Sequence, residues 1–502
     1  MVRTMNTHDV REPMDEGARR WRRLRNGIAG ALSALAVFFL VSSRYAPNQP
    51  VNYENIEDRF RYGTIGADTD SGLPLRVMQV LPRMFPEYLP AGRRRDYTAF
   101  GFIQEPGHPM PVGFSIRRRV IDLVGQNCAV CHVGSVRASE QSAPTHYLGM
   151  PANTVDLQAY FEFLFRCASD ARFTPDLVID EVERDGALFP LDRLIYRAAI
   201  ERMKTGLLSQ RDSLGPFLRE NPPPGPGRVD TFNPYKTRQF AAYYQGHIPA
   251  EERIGTADFP SIWNQGPREG MHLHWDGNNT SVNERNVSAA FGAGATREDV
   301  DLPRITSIKE WLDELPPPAF PFERGADPAR LQRGQALHAE YCASCHAVGG
   351  ASVGRVVPLE EIGTDEHRLN SYTQFFRQLQ VFYGRGYDWE FRHFQKTHGY
   401  ANQPLDGIWA RAPYLHNGSV PTLWDLLMPA ERRPARFYRG HDVYDADRVG
   451  FRADVREVEG RKAFLFDATL PGNSNKGHTG ARYGTELSDS DKWALIEYLK
   501  TL

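Results

Sequence analysis

The chain has 502 residues, a formal net charge of −2 and 24% charged residues. That near balance gives no support for nucleic-acid binding or for a strongly acidic partner. With 41% hydrophobic and 11% aromatic residues, the length suffices for two or three domains with sizeable cores.

The first signal along the chain is basic. Residues 19–25 read Arg-Arg-Trp-Arg-Arg-Leu-Arg, and an uncharged apolar run follows from Gly27 to Ser43, bounded by Arg44. About 17 residues is near the lower limit for a spanning helix. A basic flank stays in the cytoplasm, so the pattern predicts a basic cytoplasmic tail over 1–26, a transmembrane anchor over 27–43 and an exported remainder. A cleaved signal peptide is the alternative, because Val41 and Ser43 put small residues near a cleavage point. Residues 44–70 read as an extended tether.

Five cysteines occur, and four of them form two pairs, each followed directly by histidine: Cys128-Ala129-Val130-Cys131-His132 and Cys342-Ala343-Ser344-Cys345-His346. C-x-x-C-H is the attachment signature of c-type haem. Each thiol adds across one haem vinyl group, and the histidine is then placed under the ring to bind iron. Two readings compete. The paired cysteines of a structural zinc site lie about 15–20 residues apart, whereas these pairs are separated by roughly 200. A thioredoxin-like pair does not call for a histidine after it twice. Cys128, Cys131, Cys342 and Cys345 are therefore expected to hold two covalent haem c groups, with His132 and His346 as iron ligands. Cys167 reads as a buried thiol outside the chemistry.

Apolar periodicity predicts helices over 155–165 and 191–208. Pro222-Pro223-Pro224-Gly225-Pro226-Gly227 breaks the first large region, 71–315, which holds the first haem motif. Pro316-Pro317-Pro318 with Pro321 forms a stiff connector over 316–326. Asp327-Pro328 then reads as a helix start, and the helix carries Gly334, Leu337 and Tyr341 into Cys342. Ser488-Asp489-Ser490-Asp491 is a capping pattern, followed by Leu495, Ile496, Leu499 and Leu502 on one helical face. A helix leading into C-x-x-C-H and a closing amphipathic helix resemble the two crossed terminal helices of cytochrome c. Residues 327–502 are thus expected to be one cytochrome c domain. The whole reads as mainly α: two haem domains with long loops.

The sixth position of each iron decides what it can do. His478 lies in the glycine-rich stretch 472–480, His416 in Pro413-Tyr414-Leu415-His416-Asn417-Gly418, and His272 and His274 in Met271-His272-Leu273-His274-Trp275-Asp276-Gly277-Asn278-Asn279. Met428 is a possible thioether ligand, though a core position is its commoner role.

Residues 405–423, Leu-Asp-Gly-Ile-Trp-Ala-Arg-Ala-Pro-Tyr-Leu-His-Asn-Gly-Ser-Val-Pro-Thr-Leu, resemble the region between haem motif and C-terminus in the bacterial di-haem cytochrome c peroxidase superfamily. Trp263-Asn264-Gln265, His274 to Asn279 and Glu284-Arg285-Asn286 are similar to the branch holding the rubber oxygenases and related fatty-acid dioxygenases. The resemblance spans roughly 60–502. It implies that the N-terminal haem, on His132, binds oxygen, and that the C-terminal haem is held by His346 and His478. Glu284 or His274 is then a candidate acid–base group and Arg285 a candidate for stabilising negative charge. Trp275 is a candidate electron relay, and core packing is its plainer role. The expected protein is a di-haem oxidoreductase of the bacterial inner membrane with its bulk in the periplasm. It would act on peroxide, or on dioxygen plus an apolar organic molecule, with an electron-donor protein as partner. The alternative is a non-catalytic periplasmic electron-transfer cytochrome. Calcium is a further candidate ligand for which the residues give no motif.

Overall fold

A computed structural model describes residues 16–45, 47–92, 94–245, 247–323, 328–458 and 460–502. The first half of the expected basic tail, the end of the proline-rich connector and the cap Asp327 lie outside the described residues. The chain divides into two units, residues 1–49 with 118–120 and residues 50–117 with 121–502.

In the first unit, helix α1 (Glu16–Tyr45) carries the arginine cluster on its first turns and the apolar run on its last. Trp21, Leu24, Ile28, Leu32, Leu35, Phe38 and Phe39 on it are exposed. Among the described residues, no helix is long and apolar enough to cross a membrane, so the spanning helix expected over 27–43 is not supported. The run is short, it begins immediately after five arginines, and the side chains at 37, 40 and 41 fall outside the described set.

The second unit is mainly helical. It opens with α2 (Ile56–Tyr62) and α3 (Leu75–Met84). After the first haem motif comes a short hairpin of β1 (Val133–Val136) and β2 (Thr145–Leu148), in which Val133 faces Leu148. The segment expected over 155–165 forms α4 (Leu157–Ser169), started by Asp156, whose side chain accepts from the Ala159 amide. After α5 (Pro175–Glu183), the segment expected over 191–208 extends into α6 (Pro190–Glu220). It stops just before Pro222-Pro223-Pro224, which have no amide to continue the ladder. Strands β3 (Arg228–Asp230) and β4 (Thr256–Asp258) pair antiparallel, and α7 (Val282–Gly292) and α8 (Leu302–Glu314) complete the region before the connector.

Beyond it, α9 (Pro328–Tyr341) runs into the second haem motif. A hairpin of β5 (Val356–Pro358) and β6 (Gly399–Ala401) and another of β7 (Arg436–Arg439) and β8 (Phe464–Asp467) follow. The chain closes with α10 (Asp489–Leu499), capped by Ser488, whose hydroxyl accepts from the Asp491 amide at 3.2 Å. Helices α9 and α10 pack together as expected, and Gly334 is the reason they can approach: a Cβ there would collide with the Ala494 carbonyl.

The two sides of the connector share one interior. Phe60, Tyr235 and Phe291 pack in the same buried cluster as Phe376, Trp389 and Phe391. Trp263 shares another with Leu337, Trp409 and Leu495. Each such side chain contributes roughly 1.5–3 kcal/mol by leaving water. A buried ion pair ties the halves as well: Arg439 Nη2 lies 2.5 Å from Asp258 Oδ1 with both side chains almost fully enclosed, and removing one partner of such a pair costs about 3–5 kcal/mol.

Candidate haem centre

Each C-x-x-C-H motif folds as one tight turn. In the first, the Asn127 side chain accepts from the Ala129 amide at 2.9 Å and donates to the Gly63 carbonyl at 2.8 Å, pinning the motif to the end of α2. In the second, the amides of Cys345 and His346 both donate to the Cys342 carbonyl, at 3.1 and 2.9 Å. The cysteines of both motifs are unpaired thiols. Burial pushes Cys128 up to about 11 and Cys131 and Cys342 up to about 12.

Both motif histidines are oriented by a distant carbonyl. His132 Nδ1–H donates to Pro260 O at 2.9 Å, and His346 Nδ1–H donates to Gln403 O at 2.8 Å. Such a bond fixes the tautomer and leaves the Nε2 lone pair free for a metal. Burial keeps both rings neutral, with His132 pushed down to about 4 and His346 below its ordinary value, and the neutral ring is the ligating form. Neither carbonyl was visible in the sequence, because each lies far along the chain and any residue supplies one.

His478 faces His346, with ring centroids 6.3 Å apart. Two imidazoles sharing one metal ion at about 2 Å each place their centroids about 6 Å apart, so the pair fits an iron between them. The loop is built for this. His478 has φ +48° and follows Gly477 at φ +85°, a backbone conformation that costs a non-glycine residue roughly 1–3 kcal/mol. Buried Arg433 holds it there by donating to the carbonyls of Asn475, Gly477 and His478 at 2.7, 2.8 and 2.9 Å. Burial, with His346 close by, pushes His478 down to about 3.

The other candidate ligands have other partners, and of them His416 also lines the cavity that holds the motif histidines. His416 is buried against Tyr400, with ring centroids 4.2 Å apart and the hydroxyl 3.2 Å from Nε2. His272 Nδ1 lies 3.0 Å from both the Gly277 carbonyl and Gln395 Nε2. Met428 is buried with Lys492 Nζ 3.9 Å from its sulfur.

All four motif cysteines, His132, His346 and His478 line one cavity of about 1540 Å³, larger than the roughly 300–1,000 Å³ of a site for one small ligand. Near the first motif its lining includes an apolar set, Leu157, Phe161 and Phe165 from α4 and Leu214 and Phe217 from α6, interspersed with polar Gln158, Ser209, Asp212 and Ser213. The four-residue spacing along α4 was readable in the sequence, but not what it faces.

Trp275 is bonded near the supports of both motif histidines. Its indole N–H donates to Asp258 O at 3.0 Å, two residues from the carbonyl that holds His132. Its own carbonyl accepts from the Ala401 amide at 2.9 Å, two residues before the carbonyl that holds His346. Arg285 lines the cavity, and burial pushes it down to about 10. His274 also lines it, in a left-handed backbone conformation of φ +63°, with Nε2 enclosed and without a hydrogen-bond partner. Glu284 does not join them. Its carboxylate accepts from the amides of Arg392 and His393 at 2.8 and 3.0 Å, and lies 2.7 Å from His393 Nδ1. Neighbours on a helix point about 100° apart, so α7 turns Arg285 to the cavity and Glu284 to the 392–393 loop.

Residues 399–438 match the family described as RoxA-like, cytochrome c-like. This stretch contains strand β6 and the 405–423 segment, and the match implies covalently bound haem c. The fit is consistent with the thiols, oriented imidazoles and cavity described above. The chain is also similar to two proteins of Sinorhizobium fredii. Uncharacterized protein y4iM is 33% identical over 291 residues, which cover 49% of this chain and 64% of that protein. Uncharacterized protein y4iJ is 26% identical over 525 residues, covering 81% and 84%. The chain thus spans less than two thirds of the first of these relatives.

Proposed function

We propose that this haem-containing oxidoreductase carries two haem c groups with divided roles: reaction at His132 with dioxygen and an apolar organic molecule, and electron storage at His346 and His478. The observation that carries the reading is the asymmetry of the shared cavity. One end presents a facing pair of imidazoles. The other presents His132 with a lining from α4 and α6 that is rich in apolar side chains.

Haem iron with an open sixth position supplies oxygen or peroxide chemistry. Two features of the chain favour dioxygen. Peroxide cleavage calls for a distal acid–base group; of the two candidates Glu284 is engaged by Arg392 and His393 away from the cavity, and His274, held neutral by burial, is the one that lines it. The apolar side chains of the lining instead exclude water and hold an apolar substrate against the first site. Arg285 offers a cation there for developing negative charge. Trp275 links the supports of both histidines and serves as the electron bridge. Attachment of haem c after export, together with the arginine cluster at 19–25, favours a periplasmic location for the haem-bearing part.

The test is turnover. Purified protein is given oxygen with unsaturated apolar compounds, and in a separate reaction peroxide with a reduced donor. Oxygen uptake that disappears in His132→Ala, with haem at the second motif retained, is the expected outcome. Turnover only with peroxide would transfer the assignment to a peroxidase. No turnover, with both irons six-coordinate and low-spin, would leave an electron carrier.

A further inference from the structure

Two buried arginines that the function above does not use have hydrogen bonds left to make. Arg228, on β3, donates through Nη1 to the Pro224 carbonyl at 3.2 Å and through Nη2 to Asn473 Oδ1 at 2.8 Å, and lies over the Phe466 ring. Its Nε is enclosed and has no partner. Arg368, in the short helix His367–Ser371, lies over the Phe232 ring, 3.8 Å from its centroid. Its Nη2 stands 3.4 Å from Asp276 Oδ1, while Nε and Nη1 are enclosed and have no partner. Both arginines line the haem cavity.

The chain brings the two together. Arg228 faces Asp258 across β3 and β4, the Asp258 carbonyl accepts from the Trp275 indole, and Asp276 follows directly. Burial chiefly, opposed by Asp365 and reinforced by Arg368 and Arg228, pushes His416 down to about 3, so both guanidiniums lie close to one cavity-lining ring. The neighbouring carboxylates are already engaged. Asp258 pairs with Arg439 at 2.5 Å; Asp365 accepts from the Ser474 amide at 3.2 Å and lies 2.9 Å from His367 Nδ1. Enclosed donors without acceptors mark a bound group or an ordered water.

We propose that Arg228 and Arg368 are the receiving site for haem propionate carboxylates, with Arg228 Nε and Arg368 Nε and Nη1 as the donors. The motif thiols hold each ring by its vinyl groups, and two carboxylates leave the same ring at positions the thiols do not fix. An ionised carboxylate offers about four acceptor sites, and its bonds to a guanidinium are charge-assisted, roughly twice as strong as neutral ones. The site rests on the presence of haem c in this cavity and is independent of whether oxygen or peroxide reacts there. Both arginines act on the haem and not on substrate, as positioning residues.

The test reads the full haem-loaded chain by redox titration and by resonance Raman scattering, in which the propionate bending bands report hydrogen bonds to the carboxylates. Arg368→Gln should move one bending band to lower frequency. It should also lower the midpoint potential of one haem by about 59 mV, a tenfold change in its oxidised-to-reduced ratio, because a cation that favours the reduced iron is gone. Arg368→Lys should keep most of the potential and still move the band, since an ammonium carries the charge without the planar donors. Arg228→Gln and Arg228→Lys should act in the same way. Haem content and the low-spin signal of the His346 and His478 pair should stay unchanged. Where a glutamine variant fails to load haem, its lysine counterpart decides. Full haem content with unmoved bands in both lysine variants overturns the site and gives the open donors to water, and the haem reading then stands. A wild-type chain that binds no haem overturns that reading as well.

Discussion

Around His346 the chain supplies a facing imidazole, a loop fixed by Arg433 and a crossed pair of helices; around His132 it supplies a longer stretch of chain, a lining rich in apolar side chains and, among the described residues, no imidazole ring paired with it as His478 is with His346. The shared features are the motif turn and a backbone carbonyl on Nδ1 of each histidine. What differs is the far side of each site, and that is where the two irons would part in function. A ligand attachment motif therefore says where a cofactor is fastened, while the elements brought over it from elsewhere decide its reactivity.

The sharpest way to break the comparison is at His478. In the His478→Gly variant one of two haems should turn from low-spin to high-spin in electron paramagnetic resonance, and the other should be unaffected. An unchanged spectrum would move the ligand to His416 or Met428 and remove the contrast between the sites.

A smaller effect concerns pH. Burial pushes His416 down to about 3 from an ordinary value of 6.5. The unfolded chain takes up a proton below pH 6.5 and the folded chain only near 3. The contribution is therefore complete above pH 6.5 and is lost as pH falls towards 3, at up to about 1.4 kcal/mol per unit. Denaturant unfolding of wild type and His416→Gln should show a flatter pH dependence for the variant across that window. Parallel curves would mean that His416 is not buried as a neutral ring.

The smallest effect separates the lone cysteine from the paired ones. Cys167 is fully enclosed in the core around α4, so Cys167→Ala should cost about 1 kcal/mol of stability and leave the haem content per chain unchanged. Loss of haem in that variant would contradict its separation from the chemistry.

The sequence announced what is local. The two motifs, the cap at Ser488, the crossing helices around Gly334 and the helices α4 and α6 follow from spacing and end signals within a few residues. The end of α6 was not foreseen, because Ser209 to Ser213 interrupt the apolar face, which resumes only at Leu214, Phe217 and Leu218 before the prolines stop the helix. The site was legible as far as its thiols and motif histidines. Glu284 misled because its neighbour Arg285 faces the cavity, and a linear reading cannot tell which of two adjacent helical residues points inward. The clamp at Arg433 and the carbonyls of Pro260 and Gln403 are tertiary pairings that leave no trace in composition.

The interior shared across the connector sets an order of events during synthesis. A nascent chain that has emerged only as far as residue 323 already contains Cys128, Cys131 and His132, but not Phe376, Trp389 or Phe391, which complete the cluster around Phe60 and Phe291, nor Arg439 to neutralise Asp258. The first attachment site would then lack those walls, which suits enzymes that must thread a haem onto two thiols. Completion of that cluster waits for the last third of the chain, so a fragment cut at the connector should be recovered as an aggregate.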